Sequence, residues 1–153
     1  GIGAAVAERL ACDGFDIALT GWPPYDARMP WGRDCDPEDI LALIGPKGVR
    51  TVVVKADLEQ PEAAETLFDA AEEALGPVTV LVLCHCESVD SGILDTTVAS
   101  FDRHFAVNTR ATWLLIREYG LRFPPDRGAG RIVALTSDHT AGNLPYGASK
   151  GAC

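Results

Sequence analysis

Tyr146 and Lys150 stand four residues apart near the end of the chain, in the segment YGASK. On an α-helix this spacing places both side chains on one face. A lysine ammonium beside a phenol stabilises the phenolate, and such a phenol can exchange a proton with a carbonyl oxygen. The pair predicts acid–base chemistry on a carbonyl or an alcohol; the alternative is a solvated Tyr and Lys on a surface helix.

Two further polar residues occupy positions that suit the same chemistry. Ser137 ends the apolar run RIVALTS, where its hydroxyl could donate to the same carbonyl oxygen. The alternative is an ordinary turn or helix-cap serine. Asn108 lies inside a long predicted helix, a location in which asparagine has low propensity. Its side chain therefore either faces solvent or makes bonds that the backbone alone cannot make.

Two other short segments raise the possibility of ligand binding. Gly1-Ile2-Gly3 precedes a predicted helix, where backbone N–H groups and the positive helix end favour a phosphate. Cys84-His85-Cys86 offers three metal-ligating side chains. On a strand, however, the two thiols and the imidazole would face opposite sides, and three adjacent residues cannot close a tetrahedral site. No metal site is predicted.

The elements that must position these residues follow an alternating pattern. The runs FDIALTG, VRTVVVKADL, VTVLVLC and GRIVALTS are predicted strands. The nearly continuous apolar VTVLVLC is typical of a strand that is buried on both faces in a parallel sheet, and GRIVALTS is predicted to be another buried strand. Strand and helix in alternation predict an α/β fold, a Rossmann-like doubly wound parallel sheet in three α/β/α layers. Ligands of such sheets bind beyond the carboxyl ends of the strands.

Helical patterns fill the intervals between these strands. The first predicted helix ends at Gly14, and the next begins near Pro37. A third carries Pro61 in its first turn and ends at Gly76, and the last begins near Tyr146. A long helix is predicted between residues 97 and 123. The segment WPPYDARMPWGRDCDPED, rich in Pro and Gly, is predicted to be a long loop.

Composition narrows the class of protein. The 153 residues, 47% hydrophobic and 23% charged, suit one globular domain. A net charge of −9 argues against a nucleic-acid partner. No apolar run approaches the roughly 18 residues of a membrane span. The five cysteines lack zinc or disulfide spacing, so reduced thiols and a cytoplasmic location are predicted.

Taken together, these residues resemble the short-chain dehydrogenase/reductase family along the whole chain, and within it the bacterial 3-oxoacyl-ACP-reductase-like members. Gly1-Ile2-Gly3 matches the end of the family's glycine-rich cofactor loop. The other matching segments are ADL (residues 56–58), FAVNTRA, IVALTS and YGASKGA. Five motifs in the family's order are more specific than any one of them.

The resemblance implies an NAD- or NADP-dependent oxidoreductase that transfers a hydride to or from a small-molecule carbonyl or secondary alcohol. Tyr146 would be the general acid or base. Lys150 would stabilise its phenolate and bind the nicotinamide ribose. Ser137 would hold the substrate oxygen, and Asn108 would anchor a water that relays protons to Lys150. The implied cofactor contacts are Gly1, Ile2, Gly3, Asp57, Leu58, Cys84, His85, Tyr146 and Lys150.

Two departures from the family concern the site itself. The family usually has Asn-Asn-Ala-Gly after its fourth strand, where this chain has LCHC, so that Cys84 replaces an asparagine that braces the cofactor site. Ser137 precedes Tyr146 by nine residues, a shorter interval than the family's usual one. The tighter loop makes His139 and Asn143 candidates for substrate contact.

A third departure leaves the choice between NAD and NADP open. The second strand ends in Thr20-Gly21-Trp22, which offers neither the acid that holds a ribose 2′-OH nor an arginine for a 2′-phosphate. Arg28 or Arg33 could reach a 2′-phosphate, and Asp26 could reach a hydroxyl.

The chain is expected to be part of a domain, residues 1–153 lacking the first strand and the C-terminal substrate lid, and inactive by itself. The full-length protein is expected to form a homodimer or homotetramer through Trp113, Leu115 and Tyr119; the alternative is burial of these side chains against the chain's own sheet. The alternative function is a catalytically inactive nucleotide-binding or interaction domain of the same fold.

Overall fold

The computed structural model of the chain describes residues 1–30, 37–139 and 142–153. The chain divides into two compact units. Unit 1 comprises Gly1–Asp57 and Glu65–Val78, and unit 2 comprises Leu58–Ala64 and Thr79–Cys153. Each unit contains one pair of parallel strands with helices between them, which confirms the α/β prediction.

Unit 1 is built on the parallel pair β1 and β2, in which Ile17 lies opposite Thr51 and Gly21 opposite Lys55. Its elements are α1 (Ile2–Cys12), β1 (Ile17–Gly21), α2 (Pro23–Asp26), α3 (Pro37–Ile44), a 3₁₀ turn (Gly45–Lys47), β2 (Thr51–Lys55) and most of α4 (Ala63–Leu75). The buried core consists of Ala7, Ala11, Ile17 and Ile44. Small residues on α1 let the helix approach β1 and α3 closely.

Arg50 connects the loop before β1 to the end of α4. Its guanidinium donates to the Asp16 carboxylate at 2.6 Å and to the carbonyls of Ala74 and Leu75 at 3.3 and 2.8 Å. Backbone and side-chain hydrogen bonds from Arg50 lower the pKa of Asp16. The last carbonyls of α4, which have no partner within the helix, thereby gain a donor.

Unit 2 is built on the parallel pair β3 and β4, with Val80 opposite Arg131 and Leu83 opposite Ala134. Its elements are β3 (Val80–Leu83), α5 (Val98–His104), a π-helical turn (Phe105–Arg110), α6 (Ala111–Arg122), β4 (Arg131–Ala134) and α7 (Leu144–Gly151). The segments α5, π-helical turn and α6 follow without a break, so the predicted long helix is confirmed. The π-helical turn in its middle was not predicted.

Tyr119 fastens α6 to the beginning of both strands of unit 2. Its hydroxyl donates to the Thr79 carbonyl at 2.7 Å and accepts from the Arg131 N–H at 3.2 Å. A Cβ atom at Gly130 would overlap the Tyr119 hydroxyl, so only glycine fits there. Tyr119 is buried, and so is Leu115, whereas the Trp113 side chain is 60% exposed. Of the three predicted oligomer contacts, only Trp113 is available at the surface.

Several boundaries follow the sequence prediction and others do not. The stops at Gly14 and Gly76 are confirmed, since both adopt φ +87°. The helix predicted near Pro37 does begin there. Pro61 lies before α4 and not in its first turn, and α2 forms inside the predicted long loop, whose residues 31–36, including Arg33, lie outside the described residues.

The predicted burial of the last strand was wrong. All four residues of β4 are exposed, because β4 hydrogen-bonds to β3 alone among the described strands. β3 is also less buried than predicted: Leu83 is its one buried residue. Within the described ranges, no helix has the length and apolar character to cross a membrane.

Candidate active site

Lys150 is the best-defined member of the predicted site. It lies on α7 with 4% of its surface exposed. Its ammonium donates to the Leu135 carbonyl at 2.7 Å and to the His85 carbonyl at 3.4 Å. These carbonyls follow β4 and β3 respectively, so the buried charge is held at the carboxyl ends of both strands. Among the residues that the structure describes, these two acceptors account for two of its three N–H bonds, and the third can bind a ligand.

Asn108 is fully buried in the π-helical turn and bonds to the loop after β3. Its Oδ1 accepts from the Glu87 N–H at 2.8 Å, and its Nδ2 donates to the Glu87 carbonyl at 2.9 Å. The amide thus pairs with both backbone groups of one residue. The second of the two alternatives for this asparagine is correct: the side chain makes bonds that the helix backbone cannot make.

Ser149 docks the helix that carries Tyr146 and Lys150 against the π-helical turn. The Asn108 amide donates to Ser149 Oγ at 2.8 Å, and this hydroxyl donates to the Tyr146 carbonyl at 3.0 Å. Thr109 Oγ1 donates to the Ser149 carbonyl at 2.8 Å. The small hydroxyl side chain permits close approach of the two helices and at the same time satisfies buried polar groups.

Tyr146, Ser137 and His139 occupy the more open part of the site. The rings of Tyr146 and His139 meet edge to face with centroids 6.1 Å apart. Ser137, half-buried, lies three residues beyond the end of β4, and its Oγ accepts from the His139 N–H at 3.1 Å. Its hydroxyl proton has no acceptor among the described residues. It is therefore available to a bound molecule.

His85 and Cys84 follow β3 directly, outside the strand. The His85 ring Nε2 lies 3.1 Å from the Val107 carbonyl and 3.3 Å from Thr112 Oγ1. Burial, together with the nearby Lys150 charge, lowers the pKa of His85 to about 4, so the ring is neutral at physiological pH. Burial also raises the pKa of the Cys84 thiol, against the opposing effect of Lys150. No group of three or more His, Cys, Asp or Glu side chains in the described chain is arranged to hold a metal ion.

Asn143, predicted to contact substrate, is 2% exposed and braces the loop after β3. Its Nδ2 donates to Ser88 Oγ at 3.3 Å and to the Asp90 carboxylate. Its buried Oδ1 has no partner among the described residues. In this conformation Asn143 acts on the shape of the loop.

With this geometry established, comparison with known proteins gives the family. The family model described as short chain dehydrogenase matches residues 1–153. The chain belongs to the short-chain dehydrogenase/reductase family. Its parallel strands with intervening helices are the Rossmann fold of that family, as predicted.

Individual relatives cover the chain almost completely. The chain is 33% identical to the Bacillus subtilis oxidoreductase YjdA over 99% of its length and 59% of YjdA. It is 34% identical to an NADPH-dependent aldehyde reductase-like protein of Arabidopsis thaliana over 99% of the chain and 58% of that protein. A Burkholderia cenocepacia short-chain dehydrogenase in complex with NADP superposes with a TM-score of 0.82 at 30% identity, over 99% of this chain and 59% of that one. The chain therefore spans somewhat more than half the length of these relatives.

The family's predicted site residues are distributed over both units. Unit 2 brings together Lys150, His85, Asn108 and the helix of Tyr146. Gly1-Ile2-Gly3 and Asp57 belong to unit 1, where α1 begins at Ile2 after Gly1 as the N-cap residue, with no side-chain cap and no acid in its first turn. Leu58 belongs to unit 2 and is 7% exposed.

Sequence reasoning missed three buried polar residues of the site: His104, Thr112 and Ser149. His104 is fully buried, with Nδ1 donating to the Ser100 carbonyl at 2.7 Å and Nε2 accepting from the Val89 N–H at 3.1 Å. The sequence carried a signal for two of them. Ser100, His104, Asn108 and Thr112 recur every four residues, which is a polar stripe along one face of the long helix.

Proposed function

We propose that the protein is an NAD(P)-dependent oxidoreductase that transfers a hydride between nicotinamide and a carbonyl or secondary alcohol, with Tyr146 as general acid or base. The observation that carries the proposal is the buried Lys150 ammonium. It is held by two strand-end carbonyls and stands one helical turn from Tyr146. A buried charge with an unused N–H is costly unless a ligand completes it.

The chain's own residues would divide the work as follows. Lys150 stabilises the phenolate form of Tyr146, which moves a proton to or from the substrate oxygen at its hydroxyl. Ser137, whose hydroxyl proton is uncommitted, donates to the same oxygen. Asn108 and Ser149 hold α7 in place, and Asn108 would also anchor a water that relays protons to Lys150.

The residues present suit the family's cofactor. When bound, nicotinamide supplies the hydride or accepts it. The third N–H of Lys150 suits a ribose hydroxyl, and the uncapped start of α1 at Gly1-Ile2-Gly3 suits a phosphate. Asp57, Leu58, Cys84 and His85 are the further proposed contacts. Relatives that bind NADP or depend on NADPH support this choice of cofactor class.

The finer predictions belong to the same proposal. A 3-oxoacyl thioester is one candidate substrate class. Arg28 is the candidate contact for a 2′-phosphate. It follows β1 in the chain, and its guanidinium lies 5.7 Å from the centroid of the Tyr25 ring. Trp113 is the candidate contact for a homodimer or homotetramer.

The test is hydride transfer by the full-length protein and by Tyr146→Phe, which removes one hydroxyl and leaves the ring. Nicotinamide absorbance is followed with NADH and NADPH against aldehydes, ketones and 3-oxoacyl thioesters. The wild-type protein is expected to turn over at least one of them, and Tyr146→Phe is expected to lose about 100-fold or more in kcat. Cofactor binding, measured by nicotinamide fluorescence, is expected to survive the substitution.

Two results would contradict this proposal in different ways. If the wild-type protein shows no turnover and no cofactor binding, the oxidoreductase assignment is overturned. Cofactor binding without turnover of any carbonyl would favour the non-catalytic nucleotide-binding domain, in which Cys84 replaces the family's asparagine.

A further inference from the structure

His85 joins three parts of unit 2 at one residue. Its backbone follows β3, its carbonyl accepts from the Lys150 ammonium, and its ring reaches the Val107 carbonyl in the π-helical turn. In the family's Asn-Asn-Ala-Gly segment this position holds alanine, whose methyl group can donate nothing. The connection between ring and turn is therefore a property of this chain's own sequence.

The π-helical turn explains why Val107 can accept a bond from His85. In an α-helix the Ala111 N–H would bond to the carbonyl four residues back, that of Val107. Here the Ala111 N–H bonds to Ala106, five residues back. The Val107 carbonyl loses its α-helical donor, and the His85 ring, 3.1 Å away, takes that place.

The hydrogen-bond partners also fix which ring nitrogen carries the proton. Thr112 Oγ1 gives its proton to the Asn108 carbonyl at 2.7 Å, so toward His85 it can only accept. The Val107 carbonyl can only accept as well. Both therefore require a proton on Nε2. Burial, together with the neighbouring Lys150 charge, disfavours a second proton on the ring, and the ring stays neutral.

We propose that His85 is a positioning residue: its Nε2–H holds the Val107 carbonyl while its own carbonyl holds the Lys150 ammonium, which keeps Asn108 and Lys150 in a fixed relation. Without the ring donor, the Val107 carbonyl can regain the Ala111 N–H, and the turn can shift toward α-helical geometry. That shift would rotate Asn108 away from Glu87 and Ser149, and α7 would lose its support. This inference rests on the proposed function.

The experiment compares two amide substitutions in the full-length protein. His85→Gln places an N–H near the position of Nε2, whereas His85→Asn carries the same amide one methylene shorter, too short to reach Val107. His85→Asn is expected to lose about tenfold in kcat, with the substrate KM changed by less than about threefold. His85→Gln is expected to stay within about threefold of wild-type kcat.

Hydrogen exchange supplies a measurement that needs no substrate. The amide of Glu87, whose acceptor is Asn108 Oδ1, is expected to exchange about tenfold faster in His85→Asn than in wild type, and to remain protected in His85→Gln. If His85→Asn does not fold, as judged by thermal unfolding, His85→Ala takes its place.

The outcomes separate this inference from the proposed function. Equal kcat in all three proteins, or equal losses in both variants, overturns the positioning role. If the wild-type protein transfers no hydride, the proposed function fails, and the exchange pattern still decides: unchanged protection in His85→Asn overturns the role of His85, and selective loss supports it.

Discussion

The two strand ends of unit 2 are built differently. The loop after β3 (residues 84–91, the β3 loop) is held by buried side chains at every second position: Lys150 at His85, Asn108 at Glu87, and His104 at Val89. The loop after β4 (residues 135–139, the β4 loop) has one such anchor, the bond from Lys150 to the Leu135 carbonyl. Beyond it, Ser137 bonds within its own loop, to the His139 N–H, and to no other residue in the described part of the chain.

This difference indicates that the two loops have different roles, one in supporting the site and the other in contacting a ligand. Loops with few buried bonds open at low free energy, and binding residues often lie on them next to a rigid scaffold. The β3 loop fixes the geometry of Asn108 and Lys150, whereas the β4 loop leaves Ser137 half-buried and His139 exposed, where we propose that they meet a bound molecule. Substitution of the side chains that anchor the β3 loop should therefore lower the free energy of unfolding. Substitution of residues in the β4 loop should instead lower kcat.

The largest loss of stability is expected for Asn108→Ala. It removes the acceptor of the Glu87 N–H, the amide donor to the Glu87 carbonyl and the donor to Ser149. The free energy of unfolding should fall by about 4 kcal/mol, at about 1 to 3 kcal/mol for each buried hydrogen bond removed. Urea denaturation measures it. A loss of less than about 1 kcal/mol would show that the β3 loop does not depend on this anchor.

The next largest effect is expected in the pH dependence of the free energy of unfolding, and its cause is His85. Its pKa of about 4 in the folded protein lies below the ordinary 6.5. Between these values the unfolded ring binds a proton that the folded ring does not, so stability falls as the pH decreases from 6.5 to 4. The loss approaches roughly 3 kcal/mol at 1.36 kcal/mol per pH unit. Above pH 6.5 the ring is neutral in both states and contributes no pH dependence.

His85→Gln is the control, because carboxylates titrate in the same range in both proteins. Denaturation at pH 7, 6, 5 and 4.5 should show a steeper loss in wild type than in this variant. Parallel curves would mean that the folded ring accepts a proton readily.

A smaller loss, about 2 kcal/mol, is expected for His104→Leu, which leaves the Val89 N–H without its acceptor. The matched control is His139→Leu in the β4 loop, an exposed histidine whose replacement should change stability by less than about 0.5 kcal/mol. Thermal unfolding of both variants compares the two loops directly. If the two substitutions lower the stability by similar amounts, the two loops do not differ in how strongly they are held.

The smallest effect on stability, within about 0.5 kcal/mol, is expected for Ser137→Ala. Its Oγ accepts a single bond, from the His139 N–H. If Ser137 donates to the substrate oxygen, kcat should nevertheless fall about 100-fold. Denaturation and nicotinamide absorbance, measured on the same preparation, check the two halves of this prediction. If Ser137→Ala keeps the wild-type kcat, Ser137 takes no part in the reaction.

The sequence predicted the positions of the helices and strands better than their burial and their hydrogen-bond partners. Alternating apolar runs placed the four strands, and glycine stops placed the ends of α1 and α4, because both signals are local. The π-helical turn escaped prediction, since Phe105 to Arg110 reads as ordinary helix until the partners of Val107 and Asn108 are known. The exposure of β4 escaped for a similar reason: an apolar run shows that a strand can be buried, and its neighbours decide whether it is.

What the sequence determined by itself was the set of chemical groups: a tyrosine and a lysine at helical spacing, a serine after an apolar run, and an asparagine in a helix. Residue type and spacing are properties of the chain. Only the tertiary structure decided how those groups are held, with Lys150 between the carbonyls of His85 and Leu135 and Asn108 paired to Glu87. Those bonds join residues 15 to 65 positions apart, and distances of that kind are set by packing.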